Sequence, residues 1–348
     1  MNKIIFLIAF LSINTSVLSS DQIKAAQELY FFGTSSAKIE ALGRSGSVVS
    51  DGIFSVPHNP SLFPRSEKFS ASFSFYGPYD KYNDANYMFA GVGVSIRSYL
   101  SVSAITSSFD IGEEIEILDD NSVPTAFYTP SGSKHVMAFS LKPGKFFSMG
   151  ASGNFYELNS HDGTSEKKHT AFGLDIGINS IINISKSPRM RQRTCFAITA
   201  KNIYGKKLSD TELPNVLTAG LDYSLIPEMH NPFSSTIWPL IIAFTGEFGH
   251  SINIEHSKLS GGVETLFFET FALRCGYYSM AIENENIKKF TYGIGLNIPL
   301  YRYKKTNLPL SVNFSYSNLS GIERSDDSNN VENHLNYSLT VSWMRRRD

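Results

Sequence analysis

The sequence predicts an all-β fold, a transmembrane antiparallel β-barrel of about 14 strands that follows a plug-like N-terminal segment. Three observations predict this fold. Segments of about ten residues that alternate apolar and polar side chains recur from Lys68 onward. The chain is 13% aromatic and only 18% charged, which is typical of strands that alternate between lipid and a lumen. After the N-terminus, no apolar run reaches the roughly 18 residues that a membrane-spanning helix needs.

Residues 1–20 have the pattern of a cleaved signal peptide. Lys3 supplies a basic start, an apolar run extends from Ile4 to Ile13, and small residues lead to Ser20. The alternative is a membrane anchor, but about ten apolar residues are too few to cross the hydrocarbon core as a helix. We therefore expect export, with a mature chain that begins at Ser20 or Asp21, and insertion into a cell outer membrane.

Residues 21–65 form a segment rich in Ser, Ala and Gly that precedes the first strand and ends in the run HNPSLF from His58 to Phe63. This segment is too long to be a simple lead-in. Because it joins the first strand, it can fold back into the lumen as a plug. The sequence thus predicts three parts: the signal peptide at 1–20, the plug-like segment at 21–65 and the barrel at 66–348.

The barrel is predicted from strands with one hydrophobic face. In residues 172–179, for example, Phe172, Leu174, Ile176 and Ile178 alternate with small or polar residues. A soluble β-sandwich or propeller would also alternate, but its outward face should be charged. Strands are expected to begin near Lys68, Met88, Leu100, His135, Phe147, Thr170, Thr194, Asn215, Ile237, Ile254, Glu269, Phe290, Leu310 and His334.

The connections between these strands tend to alternate in length. Tight ones at 97–99 and 142–145 interleave with long polar ones at 110–134 and 318–332. Short turns on the periplasmic side and long loops outside are typical of such barrels. Residues 249–253 break the pattern, because a short connection stands where a long outer loop is expected.

The N-terminal segment contains two short motifs, ALGRSGSVVSD at residues 41–51 and NPSL at residues 59–62. Together they resemble the N-terminal pattern of the PorV/PorQ group of outer-membrane barrels, a glycine-rich turn and an aspartate followed by Asn-Pro-Ala-x-Leu. That group is itself similar to the FadL fatty-acid transporter class. The motif positions in this chain are Gly43, Asp51, Asn59, Pro60 and Leu62.

Further stretches at 173–177, 200–221 and 261–277 agree with the resemblance in order along the chain. Two features depart from it. Ser61 stands where the family has alanine, and the chain ends at Asp348 without the terminal phenylalanine of many outer-membrane barrels. The resemblance covers most of the mature chain.

The faces opposite the apolar ones place charges of both signs in the predicted lumen. One interpretation is a structural network of ion pairs and hydrogen bonds that fills the interior. The other is a polar track or a site for a carboxylate, with an arginine gripping the acid through two hydrogen bonds. The candidate residues for either role are Arg97, Asp175, Lys201, Asp222, Glu247, Glu264 and Arg274.

Several functional classes are not expected. A formal net charge of −1 gives no indication of a nucleic-acid partner. Cys195 and Cys275 are too few for a disulfide framework and lack metal-site spacing, so we expect strand residues and no metal or other cofactor. The pairs His250–Ser251 and His256–Ser257 are adjacent in predicted strands, and adjacent strand residues point to opposite faces, so an enzyme is not expected.

The resemblance implies two functions. The first is a type IX secretion-related or cargo-binding component, whose partners would be secretion-apparatus proteins or exported cargo; it predicts a packed interior and long outer loops that expose a patch such as residues 126–128. The alternative is a FadL-like channel for hydrophobic small molecules such as long-chain fatty acids. It predicts an apolar site beneath the 21–65 segment and a lateral opening. Outer-membrane lipid surrounds the barrel in both.

Overall fold

A computed structural model gives the fold of most of the predicted barrel and of the segment before it. Within the described part of the chain, no helix is long and apolar enough to cross a membrane. The predicted signal peptide and the start of the predicted plug-like segment, residues 1–34, lie outside the described residues. The structure describes residues 35–63, 67–77, 86–96, 99–110, 115–118, 124–128, 131–161, 166–187, 190–205, 208, 213–227, 239–253, 256–282, 285–300, 309–321 and 333–344.

Fourteen antiparallel strands close into a barrel in which each strand pairs with its neighbours along the chain and β1 pairs with β16. The predicted all-β barrel is therefore confirmed, and every predicted strand start falls on or close to a barrel strand. The barrel strands are β1 Glu67–Gly77, β2 Asn86–Ile96, β3 Leu100–Asp110, β6 Ser131–Leu141, β7 Phe147–His161, β8 Glu166–Ser187, β9 Met190–Lys201, β10 Val216–Pro227, β11 Leu240–Ser251, β12 His256–Phe267, β13 Phe271–Ile282, β14 Glu285–Ile298, β15 Leu310–Gly321 and β16 Asn333–Met344.

Side chains alternate between an outward apolar face and a small, polar inward face. Phe172, Leu174, Ile176 and Ile178 are exposed, as expected of lipid-facing residues, whereas Asp175 between them is 1% exposed. The inward face is rich in serine, and some of these hydroxyls pair across strands, as Ser72 does with Thr340 at 2.8 Å. Serine and glycine keep the wall thin, which leaves the lumen wide enough for another part of the chain.

The predicted alternation of connection lengths holds from β1 to β6 and is wrong for part of the second half. We call the end of the barrel with the β2–β3 and β6–β7 turns the turn end, and the opposite end the loop end. In this part of the barrel, some long connections occur at the turn end and some short ones at the loop end. A short connection is possible at either end, because a hairpin needs only two residues where its strands match in length. The exceptions are 228–239 and 299–309 at the turn end, and 162–165, 252–255 and 283–284 at the loop end.

The long connection between β3 and β6 contains a hairpin of its own. Its strands β4, Ile115–Leu118, and β5, Pro124–Tyr128, form a two-stranded sheet separate from the barrel. The sequence predicts only a long polar connection here and does not predict the hairpin, because its short apolar stretches lack the length of a barrel strand.

Residues 35–63, which we call the plug, lie inside the barrel. The plug begins with a short helix α1, Ala37–Ala41, that packs against β13 to β16, and ends with a 3-10 turn, Pro60–Leu62, against β6, β7 and β8. It therefore crosses the lumen from one wall to the other. The part of the predicted segment from 21 to 34 and residues 64 and 65 lie outside the described residues.

Glycines on the inner wall let the plug approach the strands at backbone distance. A Cβ placed on Gly262 would lie 2.7 Å from the Cα of Leu42, so a larger residue would push the plug away. Other wall glycines also lie close to backbone or side-chain atoms of the plug on strands around the barrel, which locates the plug in the lumen. The wall glycines involved are Gly91, Gly93, Gly150, Gly177, Gly220, Gly262, Gly276 and Gly293.

Replacement of Gly262 by alanine should loosen the plug. The added methyl meets backbone atoms of Leu42, which cannot rotate away, and overpacking of this kind costs about 1–3 kcal/mol. Limited proteolysis of the folded barrel should therefore cleave residues 35–63 about tenfold faster. The matched control is Gly249→Ala, also on the inner wall, whose Cβ would meet nothing closer than 3.4 Å. Equal cleavage rates for the two variants would contradict this packing account.

Candidate functional site

The first plug motif is a tight turn held close to the wall. Gly43 has φ +68°, the left-handed region that favours glycine. A Cβ there would lie 2.5 Å from the carbonyl oxygen of Tyr277. Asp51, further along the motif, accepts a hydrogen bond from the Ser36 hydroxyl at 2.5 Å, and its own N–H donates to Ser55 Oγ at 2.6 Å. Gly43 thus allows the plug to lie close to the barrel wall, and Asp51 forms hydrogen bonds within the plug.

The second motif, residues 59–62, forms a capped 3-10 turn. The Asn59 side chain caps it by accepting the Ser61 N–H at 3.0 Å, and its amide donates to the Ser47 carbonyl at 2.9 Å. Pro60 lies against Gly150, and Leu62 is buried. Ser61, the departure from the family's alanine, uses its hydroxyl to donate to Asn59 Oδ1 at 2.7 Å. These motif residues therefore hold the end of the plug against the barrel wall.

One ion-pair group joins the plug to β12 and β13. Arg274 Nε lies 2.7 Å from Glu264 Oε1, and Lys38 of α1 lies 3.3 Å from Glu264 Oε2. Arg274 also donates to the hydroxyl of Ser315 at 3.1 Å. Two of the predicted lumen residues, Glu264 and Arg274, are therefore partners of each other.

A second group joins the plug to β11 and β12. Glu247 accepts from the backbone N–H of Ser47 at 2.7 Å and from Lys258 at 2.8 Å. Lys258 also donates to the Arg44 carbonyl at 2.5 Å. We call Glu247, Lys258, Glu264 and Arg274 the charged sector.

Sequence reasoning missed the charged residues of the plug. Arg44 pairs with Glu40 at 3.0 Å in the buried interior, and its guanidinium lies 4.6 Å from the centre of the Tyr278 ring. The spacing of four residues between Glu40 and Arg44 was a signal for a helical pair. Lys258 was also missed, although its position beside the exposed Leu259 places it on an inward face.

The remaining predicted lumen residues are not part of the charged sector. Asp175 accepts the backbone N–H of Asn202 at 2.8 Å, and Asp222 accepts from the Ser224 hydroxyl at 3.1 Å. Lys201 lies at the loop end of β9, and the negative charge of Asp175 acts on it. Arg97 lies outside the described residues.

The lumen also contains an apolar region on the opposite wall. Inward-facing residues of β2, β3, β6 and β9 form one buried cluster with Val48, Val49, Ile53, Phe54, Val56 and Phe63 of the plug. We call the wall part of this cluster the apolar sector. Its residues are Phe89, Ile105, Val136, Ala138, Cys195 and Ala197.

His58 of the plug lies close to several cations of the wall. Burial, and then the positive charges of Lys201, Lys258 and Lys134, hold the pKa of His58 well below its usual value. The ring is therefore neutral at neutral pH. Its Nε2 lies 3.1 Å from the hydroxyl of Ser35, which ties the two ends of the plug together.

Comparisons with known proteins report the fold. No protein-family model matches the chain, and no curated protein sequence matches it. Among solved structures, a deltaS2 mutant of the TodX monoaromatic hydrocarbon channel has a TM-score of 0.50 at 11% identity, covering 89% of this chain and 99% of that one. The chain shares the fold of TodX. At this identity the similarity shows the barrel fold alone.

Two other solved structures are similar at slightly lower TM-scores. The Ralstonia pickettii toluene transporter TbuX has a TM-score of 0.49 at 13% identity, covering 92% of this chain and 100% of that one. A Pseudomonas aeruginosa FadL homologue has a TM-score of 0.48 at 10% identity, covering 90% and 99%. None of these comparisons identifies the PorV/PorQ group.

The ion pair between Lys38 and Glu264 should stabilise the docked plug measurably. Lys38→Met removes one of the two cations at Glu264, which keeps Arg274, whereas Glu264→Gln leaves both cations without their carboxylate. Removing one member of a pair costs about 3–5 kcal/mol at full burial. Both groups are slightly exposed, at 19% and 14%, so we expect about 1–3 kcal/mol from each in urea unfolding of the barrel in detergent. The double variant should lose less than the sum.

The matched control is the pair Lys168–Glu157, which has a distance of 2.7 Å but a lysine that is 56% exposed. Exposed pairs contribute about 0–1 kcal/mol, so Lys168→Met with Glu157→Gln should show little coupling. Strictly additive effects of Lys38→Met and Glu264→Gln would show that the plug does not depend on this pair.

Proposed function

We propose that this chain is an outer-membrane channel of the FadL type that takes up hydrophobic solutes, exported by way of a signal peptide at residues 1–20. The observation that carries the proposal is the apolar sector inside the barrel. The lumen of a water-filled barrel is polar. The inward residues Phe89, Ile105 and Val136, which pack against the plug, instead supply the surroundings that an apolar molecule needs.

The shared fold with TodX supports the proposal, since that protein is a monoaromatic hydrocarbon channel. The plug fits the same role. It contacts strands on all sides, from Gly293 on β14 to Gly93 on β2, and so obstructs free diffusion of water-soluble molecules. A solute that enters the apolar sector would replace contacts that plug residues such as Ile53 make with the wall.

A second candidate is the secretion-related, cargo-binding role of the PorV/PorQ type. Two observations favour it. The first is that the strand pairing of the barrel is continuous, whereas the channel role predicts a lateral opening. In the described ladders of the barrel, the register shifts only between Glu67 and Phe69 and between Asn183 and Ser185. The β4–β5 hairpin also gives the 111–130 connection a structured element that an exported protein would meet. On this proposal the partners are secretion-apparatus proteins or cargo in place of hydrophobic small molecules.

We also propose that the barrel has no enzymatic activity. In the pair His250–Ser251 the histidine is exposed and the serine buried, and in His256–Ser257 the histidine is the buried member. Each pair therefore points to opposite faces of its strand, so neither brings an imidazole to the neighbouring hydroxyl.

Locking the plug to the apolar sector should block uptake. A Cβ on Gly91 would lie 3.1 and 3.4 Å from the two γ carbons of Ile53, which suits a disulfide between Ile53→Cys and Gly91→Cys. The two native cysteines, Cys195 and Cys275, are replaced by alanine in every variant. Cells that lack their own uptake channel and express the barrel are supplied with labelled toluene and labelled palmitate.

We expect uptake of at least one of these solutes by the unlocked barrel, loss of uptake in the oxidised double-cysteine variant, and recovery after reduction. Gly91→Cys alone is the control. Uptake that persists with the lock closed would exclude a route past the plug. Absence of uptake of either solute, together with a stoichiometric protein partner on the barrel purified in mild detergent, would overturn the channel proposal and support the secretion role.

A further inference from the structure

The inner wall of β6 to β9 contains a polar patch that the plug contacts leave unexplained. Register places its members on neighbouring inward positions: Ser152 pairs with Asp175, Lys134 with Tyr156, and Thr199 with Gly177. Lys201 follows Thr199 by two residues and so shares its face. The patch thus combines two lysines with hydroxyl and amide groups.

We propose that this patch binds an oxyanion, a carboxylate or a phosphate group, between Lys134 and Lys201. The site itself does not depend on the channel proposal. Its interpretation as a place for the acidic head group of a transported molecule does rest on that proposed function.

The two lysines differ from the cations of the plug and of the charged sector. Lys38, Arg44, Lys258 and Arg274 each have a carboxylate within ion-pair distance. Lys134 instead lies with its Nζ 5.1 Å from the centre of the Tyr156 ring, and within the described residues no carboxylate oxygen is paired with Lys134 or Lys201.

These lysines are also close enough to affect each other. The positive charge of Lys134 acts on Lys201, as do the charges of Asp175, Glu247 and Lys258. One oxygen of Asp175 already accepts the backbone N–H of Asn202. The three ammonium groups of Lys134, Lys201 and Lys258 against the two carboxylates of Asp175 and Glu247 leave an excess of one positive charge, which a bound anion would neutralise.

Unpaired polar atoms are the second, independent observation. Asn154 has no exposed surface, yet neither atom of its amide has a hydrogen-bond partner. The hydroxyls of Ser152 and Thr199, at 2% and 0% exposure, are also without partners. Buried polar groups are nearly always hydrogen-bonded, because leaving one unpaired is unfavourable. Ser152 and Asn154 share the inward face of β7, so an oxyanion could accept from this amide and from the Ser152 hydroxyl, whereas Thr199 lies two strands away, opposite Gly177.

The patch borders the apolar sector directly. Asn154 pairs in register with Val136, and Ser152 pairs with Ala138, and both partners belong to that sector. An acid with an apolar tail could therefore place its head group at the lysines and its tail along the wall. His58 of the plug, which faces the same cations, is neutral and so does not compete as a charge.

Calorimetric titration of the full barrel in a non-ionic detergent tests the site with three probes: sodium octanoate, octanol and inorganic phosphate. We expect octanoate to bind at least tenfold more tightly than octanol. Lys201→Met and Lys134→Met should each weaken octanoate binding by about 10- to 100-fold, the range for a hydrogen bond to a charged group. Asn154→Ala should weaken it several-fold, and the exposed Lys145→Met should leave it unchanged.

The probes separate the two sources of the anion. Phosphate that binds as tightly as octanoate and displaces it would identify a site for a free small anion, whereas much weaker phosphate binding would identify the head group of an amphiphile; both support the site. Equal binding of octanoate and octanol would overturn it, as would unchanged octanoate binding in both lysine variants. A Lys201→Arg variant that keeps octanoate binding separates loss of the charge from misfolding.

The uptake assay distinguishes this failure from failure of the channel proposal. Uptake of toluene without any octanoate binding would refute the anion site and leave the channel standing. Octanoate binding that depends on Lys201, with no uptake of any solute, would refute the channel and leave the site.

Discussion

The need to pair every backbone N–H and C=O group in hydrocarbon determines the rest of this structure. A sheet that spans a membrane satisfies these groups only by closing on itself, because an open edge would leave one row unpaired. Here the closure is made by β1 and β16, whose residues pair from Glu67 to Gly77 and from Leu335 to Met344. A barrel of 14 strands encloses more space than inward side chains can fill. The plug follows from that geometry.

Filling the lumen with a chain segment creates a second requirement, which is that two backbones meet at close range. Small inward residues provide this in two ways. Glycines admit the plug where its main chain touches the wall, as at Gly262 and Leu42. Serines near the turn end and middle of the wall pair with each other, as Ser70 does with Ser342 at 3.2 Å, and so keep their hydroxyls satisfied without filling the lumen. The large outward residues therefore suit the lipid, and the small inward residues make room for the plug.

The sequence was sufficient for the strands because alternation is a local signal. Each of the fourteen barrel strands has an apolar face that can be read within about ten residues, and no other membrane-spanning structure produces that pattern. Alternation also assigned Asp175, Glu247, Glu264 and Arg274 to the inward face, where the structure has them buried or nearly so.

Which residues contact each other inside the lumen could not be predicted from the sequence in the same way. The contacts between Lys38 and Glu264, and between Ser47 and Glu247, join residues more than 190 positions apart along the chain. They depend on the path of the plug across the barrel, which no local pattern specifies. The connection lengths in the second half were mispredicted for a related reason, since strand alternation determines which face a residue takes and leaves the length of a connection free.

The plug is held by different forces on its two sides, and this difference bears on what can enter the lumen. Against the charged sector it is held by ion pairs, such as Lys38 with Glu264, whose groups water can solvate once they separate. Against the apolar sector it is held by burial of residues such as Ile53 and Phe54, and exposing that surface to water costs about 25 cal/mol per Å². An apolar solute removes this cost because it covers both the plug and the wall, whereas water does not. The packing of the lumen therefore makes separation at the apolar sector easiest when a hydrophobic molecule fills the space that opens.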